Sequence, residues 1–197
     1  HHEEARDLLR EALAAAQKTF EAGHPSIATS QSNLALVLKD LGELEEVPME
    51  EGLEADPGEF LQAYHNHLIC NQLLAQITVP GMKHAGYGRI INIISTSVKT
   101  PLNGLGVSNT VRAAVANWAK TLANELGPFG ITVNNVLPGA TDTDRLKEII
   151  QNKAGKSGAP VAQVVEKMQG EIPLGRFATP AEIGAAAAFL ASPAAAY

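Results

Sequence analysis

Ser108 and Arg112 are the first residues whose types and spacing could do chemistry. They stand four residues apart in GLGVSNTVRAAVANWAKTLANELG, residues 104–127, and this spacing places both side chains on one face of a helix. A serine hydroxyl is a far weaker acid than a phenol, and an arginine stays protonated. The stretch leaves three alternatives: an active variant of a catalytic helix, an inactive one, or a helix that only packs.

Other chemistry-bearing residues are weaker candidates. His65 and His67 are two residues apart on a predicted helix, so they face different directions and no metal site is predicted. The one cysteine, Cys70, lies in an apolar run and is predicted to be a buried small hydrophobe, in a chain whose default location is cytoplasmic. The net charge of −6 argues against nucleic acid as the main partner. No apolar run reaches the roughly 18 residues of a membrane span, so no membrane partner is expected.

Two helices are predicted within residues 3–46. The segments EEARDLLREALAAAQKTF and SQSNLALVLKDLGELEE carry apolar residues at helical spacing, and Gly23 with Pro25 separates them. A helix, a short turn and a second helix predict an α-helical hairpin. Residues 47–57 are acidic and contain proline and glycine, so they are interpreted as a linker.

Helices and strands alternate from residue 58 to residue 197. A helix is predicted over 58–78, stopped by Pro80, and another over 107–126; the apolar runs GRIINIIS and GITVNNVLP are predicted strands. Three short helices follow, in DTDRLKEIIQNKA, APVAQVVEKMQGEI and TPAEIGAAAAFLAS, the last with Thr179 as its N-cap and Pro180 at its first position. Apolar strands around a helix predict parallel pairing through a right-handed crossover.

The N-terminal segment resembles a known helical repeat. The run LREALAAAQKTFEAGHPSIATSQSNLALVLKDLGELEE is similar to one tetratricopeptide repeat of the kinesin-light-chain type. That family binds peptides along a groove of several repeats, so the resemblance implies a possible protein partner for the hairpin. A single repeat does not bury its apolar faces, and about three are needed. We therefore expect the hairpin to pack against the rest of the chain or against another chain.

Residues 58–197 resemble the C-terminal part of a short-chain dehydrogenase/reductase. GRIINIIS is similar to the family's fifth strand, and GITVNNVLPGATDT is similar to its sixth strand with the turn that follows. IPLGRFATPAEIGAAAAFLAS is similar to a late family segment through Arg176, Pro180, Glu182 and Ile183. The expected fold class is α/β, a partial Rossmann-like three-layer α/β fragment with an N-terminal α-helical hairpin.

The resemblance implies four residues of a catalytic site. Ser95 stands at the family's catalytic serine, and Ser108, thirteen residues later, stands where the family has its general-acid tyrosine. Arg112 stands where the family has the lysine that lowers the pKa of that tyrosine, and Asn66 matches an asparagine that supports the proton relay. The resemblance implies that Ser95 polarises a substrate carbonyl, while the tyrosine that serves as the family's general acid is not matched. Lys99, just after Ser95, is either a substitute cation or a solvated loop residue.

The resemblance also implies contacts to NAD or NADP. Pro138, Gly139, Thr141 and Thr143 belong to a segment similar to the family's P-G-x-x-x-T turn, with Thr143 at the nicotinamide amide. The family's T-G-x-x-x-G-x-G turn, which cradles the diphosphate after a strand, is not matched. The nearest glycine cluster, GMKHAGYG, precedes a strand and is interpreted as a helix cap and a tight turn. We therefore expect cofactor binding by this chain to be weak or absent.

Two hypotheses for function follow. The first is an oxidoreductase of short-chain dehydrogenase ancestry, interconverting carbonyl and alcohol with NAD(P), and weak or inactive alone because the tyrosine, the lysine and the nucleotide-binding half are not matched. The second is a non-catalytic chimera or assembly module, in which the hairpin and the dehydrogenase helices serve only for packing. Two uncovered strands need a cover. In the family, the helices matching 58–78 and 107–126 form an interface between subunits, so we expect a homo-oligomer through them.

Overall fold

The computed structural model describes residues 53–197, which divide into two compact units. The sheet unit contains residues 53–137 together with Leu190–Tyr197, and the helical unit contains Pro138–Phe189. The predicted hairpin, residues 3–46, lies outside the described residues, as do residues 47–52 of the predicted linker.

The sheet unit begins with two helices joined by a wider turn. Helix α1 spans Pro57–Tyr64, a π-helical turn spans His65–Ile69, and helix α2 spans Cys70–Ala85. Asp56 caps α1: its carboxylate accepts the Gly58 N–H at 2.7 Å, and the Glu59 carboxylate accepts the Asp56 N–H at 2.9 Å. The helix therefore starts where an acidic cap and a proline at the first position coincide.

The prediction that the first helix of this region stops near Thr78 is wrong. Helix α2 continues through Pro80 to Ala85 and ends at Gly86, which adopts the left-handed conformation with φ of 61°. Pro80 removes one hydrogen bond to the carbonyl four residues earlier, that of Gln76. Both residues are exposed, so water can take the place of the missing donor and the helix continues. The interpretation of the glycine cluster as a cap and turn is confirmed at Gly86.

Two parallel strands form the sheet, as predicted. Strand β1 spans Gly88–Ile93 and strand β2 spans Ile131–Val136, with Gly88 opposite Ile131 and Ile93 opposite Val136. Asn92 lies opposite Asn135, and its Nδ2 donates to Oδ1 of Asn135 at 3.0 Å. Helix α3, Gly106–Leu126, connects the strands, so the predicted helix over 107–126 and the strand–helix–strand unit are confirmed.

Helix α3 buries a stripe of small apolar side chains at intervals of four residues. Val107, Val111, Val115 and Ala119 are each at most 2% exposed. This stripe packs against α1 through Ala63 and against the end of β1 through Ile94. Burial of one apolar stripe fixes the rotation of a helix about its axis. Ser108, Arg112 and Ala116, which follow the three valines by one position, are half-buried.

The entry to β2 depends on a glycine. A short 3₁₀ turn, Gly127–Phe129, leads to Gly130, whose φ is 71°. A Cβ atom at Gly130 would also collide with the Gly86 carbonyl oxygen. Only glycine meets both conditions without strain. The Gly86 carbonyl therefore leaves no room for a side chain at residue 130.

The helical unit consists of three helices, of which the first and the third have a side-chain N-cap. Helix α4 spans Asp144–Ser157, α5 spans Val161–Gly170, and α6 spans Pro180–Ala191, whose last two residues belong to the sheet unit. Buried residues of α4 repeat every four positions: Leu146, Ile150 and Ala154. The predicted N-cap of α6 is confirmed, since Thr179 Oγ1 accepts the Glu182 N–H at 3.3 Å and Glu182 Oε2 accepts the Thr179 N–H at 2.8 Å.

Candidate functional site

Ser95 lies just beyond the carboxyl end of β1. The Ile94 N–H still donates to the Val136 carbonyl at 2.9 Å, so strand pairing fixes the backbone up to Ile94. Ser95 is extended, with φ of −162° and ψ of 152°, and it caps the 3₁₀ turn Thr96–Val98. Its Oγ accepts the Ser97 N–H at 3.1 Å. The hydroxyl is thus positioned by the strand on one side and the turn on the other.

Ser108 and Arg112 are hydrogen-bonded to each other on α3. The Arg112 Nε–H donates to Ser108 Oγ at 3.2 Å, as the four-residue spacing allows. A second guanidinium nitrogen of Arg112 donates to the Ile94 carbonyl at 3.4 Å. Arg112 therefore joins the helix to the end of β1, next to Ser95. The structure brings together three of the four predicted catalytic-site residues.

Asn66 is the fourth predicted residue, and it lies in the π-helical turn. Its side chain is buried, 7% exposed, and its Oδ1 accepts a hydrogen bond from Gln62 Nε2 at 3.2 Å. Leu68, two residues later, packs in one apolar cluster with Ile94 and Val115. That cluster is what holds the π-helical turn against the strand end and α3. Lys99, the alternative cation, is exposed, as expected of a loop lysine.

Ser97 is a residue of this site that the sequence interpretation missed. Its backbone N–H contacts Ser95, and its side chain is 3% exposed with no hydrogen-bond partner for Oγ in the described part of the chain. A signal was present in the sequence, because a serine hydroxyl often accepts a hydrogen bond from the backbone N–H two residues later. The segment STS at 95–97 has that form.

The predicted cofactor residues lie in the helical unit. Thr143 caps α4: its Oγ1 accepts the Leu146 N–H at 3.3 Å and donates to the Thr141 carbonyl at 3.3 Å. Thr141 Oγ1 donates to the Gly139 carbonyl at 3.2 Å, and the backbone at Thr141 pairs with that at Ala178. The segment from Pro138 to Thr143 is therefore a turn held by its own hydroxyls and by one short bridge.

An ion pair holds the start of α6 in the same unit. Arg176 donates two hydrogen bonds to the Glu182 carboxylate, at 2.9 and 2.6 Å, and Glu182 also accepts from the N–H and the hydroxyl of Thr179. The Arg176 guanidinium first, and then the two Thr179 donors, lower the pKa of Glu182 from 4.5 to about 2. This exposed network organises a helix terminus.

Residues 53–197 contain neither a metal-binding cluster nor a membrane-spanning helix. No group of histidine, cysteine, aspartate and glutamate side chains there has the arrangement to hold a metal ion. None of the helices described is both long and apolar enough to cross a membrane.

The chain is similar to proteins of one family along most of its length. A family model described as enoyl-(acyl carrier protein) reductase matches residues 13–197. That match includes most of the segment assigned to a tetratricopeptide-like hairpin, which stays a prediction.

Two curated relatives illustrate the similarity. The putative ketoacyl reductase of a monensin polyketide synthase from Streptomyces virginiae is 37% identical over 118 residues, 60% of this chain and 45% of that protein. The 3-oxoacyl-acyl-carrier-protein reductase FabG of Pseudomonas aeruginosa is 39% identical over 126 residues, 63% of this chain and 46% of that protein. The chain thus spans a little under half the length of these relatives.

A solved structure shares the fold. The L-sorbose reductase from Gluconobacter frateurii, complexed with NADPH and L-sorbose, aligns with a TM-score of 0.71 and 25% identity, over 97% of this chain and 78% of that one. The predicted Rossmann-like α/β fold is confirmed by this similarity and by the parallel strand pair. With the family match over residues 13–197 and the strand-end site in place, the chain belongs to the short-chain dehydrogenase/reductase family.

Proposed function

We propose that this chain carries the carbonyl-binding part of an NAD(P)-linked oxidoreductase, and that its substrates are 3-oxoacyl compounds. The observation that supports this most strongly is the cluster of Ser95, Ser108 and Arg112 at the carboxyl end of β1. In parallel α/β sheets, ligands bind beyond the carboxyl ends of the strands. Hydroxyls and a cation at that edge are suited to an oxygen that gains negative charge during reduction.

The substrate class is supported by what similar proteins are named for. One relative is a ketoacyl reductase and another is a 3-oxoacyl-acyl-carrier-protein reductase. Both names describe an acyl chain that carries a ketone. The shared chemical element is a carbonyl oxygen that accepts hydrogen bonds, and donors are what the strand-end cluster offers.

The segment from Pro138 to Thr143 suits the nicotinamide end of NAD(P). A carboxamide both donates and accepts, and the hydroxyls of Thr141 and Thr143 with the local backbone provide both kinds of partner. A diphosphate needs a glycine-rich turn after a strand, at a helix N-terminus. In residues 53–197, β1 is followed by the turn at Ser95 and β2 by Pro138, so neither strand offers that turn. When bound, the nicotinamide supplies or receives the hydride.

The chain's own residues hold the substrate rather than supply its proton. The Ser108 hydroxyl is a far weaker acid than the family's tyrosine. A tyrosine has a pKa of about 10, which a neighbouring cation can lower into a useful range. Arg112 holds its charge at all working pH values, so it orients and stabilises without exchanging a proton. We therefore propose weak or no dehydrogenase activity for this chain by itself.

Calorimetric titration of the full chain with NADPH and with NADH tests the cofactor proposal. Saturable binding that is weakened by Thr141→Val, but not by Thr110→Val on the exposed face of α3, would support a nicotinamide site at residues 138–143. Thr110 is a matched control because its hydroxyl contacts only the Gly106 carbonyl of its own helix. No heat of binding at millimolar cofactor would contradict the oxidoreductase proposal for this chain.

The second candidate function, an assembly module, is favoured by exposed apolar side chains on α1 and α2. Leu61, Leu73 and Ile77 are 72%, 50% and 70% exposed, and the last two share a helix face. We propose that these helices, with α3, pair two copies of the chain. Sedimentation of the double variant Leu73→Glu/Ile77→Glu should then show monomers, whereas Leu174→Glu, at a residue 78% exposed in the helical unit, should sediment like the unaltered chain. A monomeric unaltered chain would contradict this proposal.

A further inference from the structure

One loop of the sheet unit carries an asparagine followed by a glycine. Asn103 and Gly104 lie between the 3₁₀ turn that Ser95 caps and the start of α3, and they form the only Asn-Gly pair in the sequence. Asn103 is exposed, and Gly104 is in the left-handed conformation with φ of 72°. Such pairs are typical of tight turns, because glycine adopts a positive φ without strain. The pair also places a side-chain carboxamide next to a backbone nitrogen that no following side chain shields.

The two groups of this pair that would react have no hydrogen-bond partner in residues 53–197. This holds for the Asn103 carboxamide and for the Gly104 N–H. A Cβ atom at Gly104 would meet nothing within 4 Å, so the loop is open on that side as well. Amide groups in an exposed loop that are not bonded to protein are open to water. The pair therefore meets the conditions for attack of the Gly104 nitrogen on the Asn103 side chain.

That attack leads to an exchange of ammonia for water, with no change of oxidation state. Hydroxide removes the proton of the Gly104 N–H, and the nitrogen then forms a bond to Cγ of Asn103. The bond from Cγ to the side-chain nitrogen breaks, and this nitrogen takes a proton from water and leaves as ammonia. The product is a five-membered imide ring. Water opens one of the two ring bonds to the Gly104 nitrogen and leaves either aspartate or isoaspartate, in which the chain runs through Cβ and Cγ.

The turn that contains the pair is closed on both sides by Asn109 of α3. The Asn109 carboxamide donates to the Leu102 carbonyl at 2.8 Å and accepts the Leu102 N–H at 3.4 Å. The Asn109 backbone N–H donates to the Leu105 carbonyl at 2.8 Å. Leu102 and Leu105 flank the Asn-Gly pair, so a single residue of the helix holds both ends of the turn.

We propose that Asn103 is a site of spontaneous deamidation, and that isoaspartate at this position opens the turn that Asn109 closes. Isoaspartate adds one atom to the backbone between Leu102 and Leu105, so the bonds from Asn109 to both residues are not kept together. Asn109 directly follows Ser108, and the loss therefore reaches the first turn of α3, which carries a hydroxyl of the candidate site. The inference concerns the chemistry of this turn and does not depend on the proposed function.

The test follows residues 100–112 of the full chain, which trypsin releases as one peptide because Lys99 and Arg112 bound it. The chain is incubated at alkaline pH in water labelled with ¹⁸O, digested in unlabelled water, and analysed by mass spectrometry with electron-transfer fragmentation. Label at residue 103 identifies deamidation during the incubation, and the fragments separate isoaspartate from aspartate. The rate should rise in proportion to the hydroxide concentration, because the nitrogen attacks after it has lost its proton.

The same peptide contains its own control. Asn109 is followed by Thr110 inside α3, and its carboxamide is bonded to Leu102, so it should take up no label. Asn103→Gln keeps a carboxamide but needs a six-membered ring, and it should also stay unlabelled at residue 103. A synthetic peptide with the sequence of residues 100–112 gives the rate without the fold. The full chain should convert at a rate of the same order as this peptide.

Hydrogen exchange measures the effect on the turn. Ion-exchange chromatography separates the deamidated chain, and amide exchange at Leu102 and Asn109 should be faster in the isoaspartate form than in the unaltered chain. Fresh Asn103→Asp carries the same added charge without the extra backbone atom, so its exchange should equal that of the unaltered chain. Asn103→Gln, given the same incubation, should show no change with time.

The outcomes test the two parts of the proposal separately. If half of the synthetic peptide converts while the full chain takes up no label at residue 103, the deamidation site is refuted. Equal labelling at residues 103 and 109 would refute the role assigned to the free groups of the Asn-Gly pair. If isoaspartate forms but exchange at Leu102 and Asn109 matches that of fresh Asn103→Asp, the opening of the turn is refuted.

Discussion

The sheet unit and the helical unit are stabilised in different ways. In the sheet unit, α3 buries a continuous apolar stripe, and side chains such as Met82 and Val107 are at most 2% exposed. In the helical unit, α4 has three buried residues whereas α5 and α6 have none, and α6 begins at an exposed ion pair with a capping box. A packed core holds side chains at fixed positions, whereas caps fix only the turn they close. The hydroxyl cluster lies on the sheet unit, beside its packed core.

The two arginines show the same contrast in detail. Arg176 donates twice to the Glu182 carboxylate and once to the Phe177 carbonyl, at 3.0 Å. Arg112 donates to a hydroxyl and to a backbone carbonyl, and the hydroxyl keeps a proton for another partner. The Arg176–Glu182 ion pair orders only the residues around it. Arg112 instead polarises a hydroxyl that can donate its proton to a further partner.

The largest effect is expected from Met82→Ala in the core of the sheet unit. Met82 is 2% exposed and packs with Leu126 and Ile131, so truncation should lower the free energy of unfolding by about 3 kcal/mol through lost burial and a cavity. Urea denaturation measures it. Leu174→Ala in the helical unit, at a residue 78% exposed, is the control and should change stability by less than about 0.5 kcal/mol. Equal losses would mean that the contrast between the units is wrong.

A smaller effect is expected from Arg112→Met. It removes the donors to Ser108 Oγ and to the Ile94 carbonyl, so the free energy of unfolding should fall by about 1–2 kcal/mol. Arg176→Met is the matched variant in the helical unit. Because that ion pair is exposed, its loss should leave the urea midpoint of the sheet unit unchanged. A larger midpoint change for Arg176→Met than for Arg112→Met would reverse the comparison.

Gln72→Ala should lower the free energy of unfolding by about 1 kcal/mol and change the tryptophan fluorescence. Trp118 Nε1 donates to Gln72 Oε1 at 2.8 Å, which ties α3 to α2. Trp118 is the single tryptophan, so its emission reports this contact directly, and it should shift to the red as water replaces the amide. Gln76→Ala, one turn further along at an exposed position, serves as the control. An unchanged spectrum in Gln72→Ala would show that the contact does not shield the indole.

The smallest and most local effect is expected from Glu182→Gln, as a function of pH. The pKa of Glu182 is lowered from 4.5 to about 2, so the ionised carboxylate stabilises the start of α6 above pH 4.5. That stabilisation should disappear as the pH falls from 4.5 toward 2. Amide hydrogen exchange in the first turn of α6 should therefore show this pH dependence in the unaltered chain and not in Glu182→Gln. The same dependence in both chains would place its origin at another carboxylate.

The elements that followed from the sequence are those with strong local signals. The strands at 88–93 and 131–136, the helix at 107–126 and the cap at Thr179 all have a period, a β-branched run or a cap residue that acts within a few positions. The prediction that Pro80 ends a helix was wrong, because the free-energy cost of a proline inside a helix depends on whether the carbonyl it leaves without a partner reaches water. No local pattern marks that exposure in advance.

The candidate site could also be predicted only in part. Ser95, Ser108 and Arg112 could be assigned to one site from the sequence, because each stands at a position of the family's catalytic motif. The bond from Arg112 to the Ile94 carbonyl depends on how α3 is rotated against the strand end. That rotation is set by the buried valine stripe, a property of packing that a list of motif residues does not contain.

The π-helical turn at His65–Ile69 makes the length of this segment as consequential as its composition. Such a turn holds about one residue more than an α-helical turn, and each residue of an α-helix advances it by about 100°. Deleting one residue there would return the segment to an α-helical turn and leave Ala63 of α1 facing Val107 and Val111. Deleting one residue elsewhere in α1 would instead rotate its face by about 100°, because no wider turn absorbs the change. In any redesign, this turn is therefore the place where the helix can lose a residue without changing the face it packs.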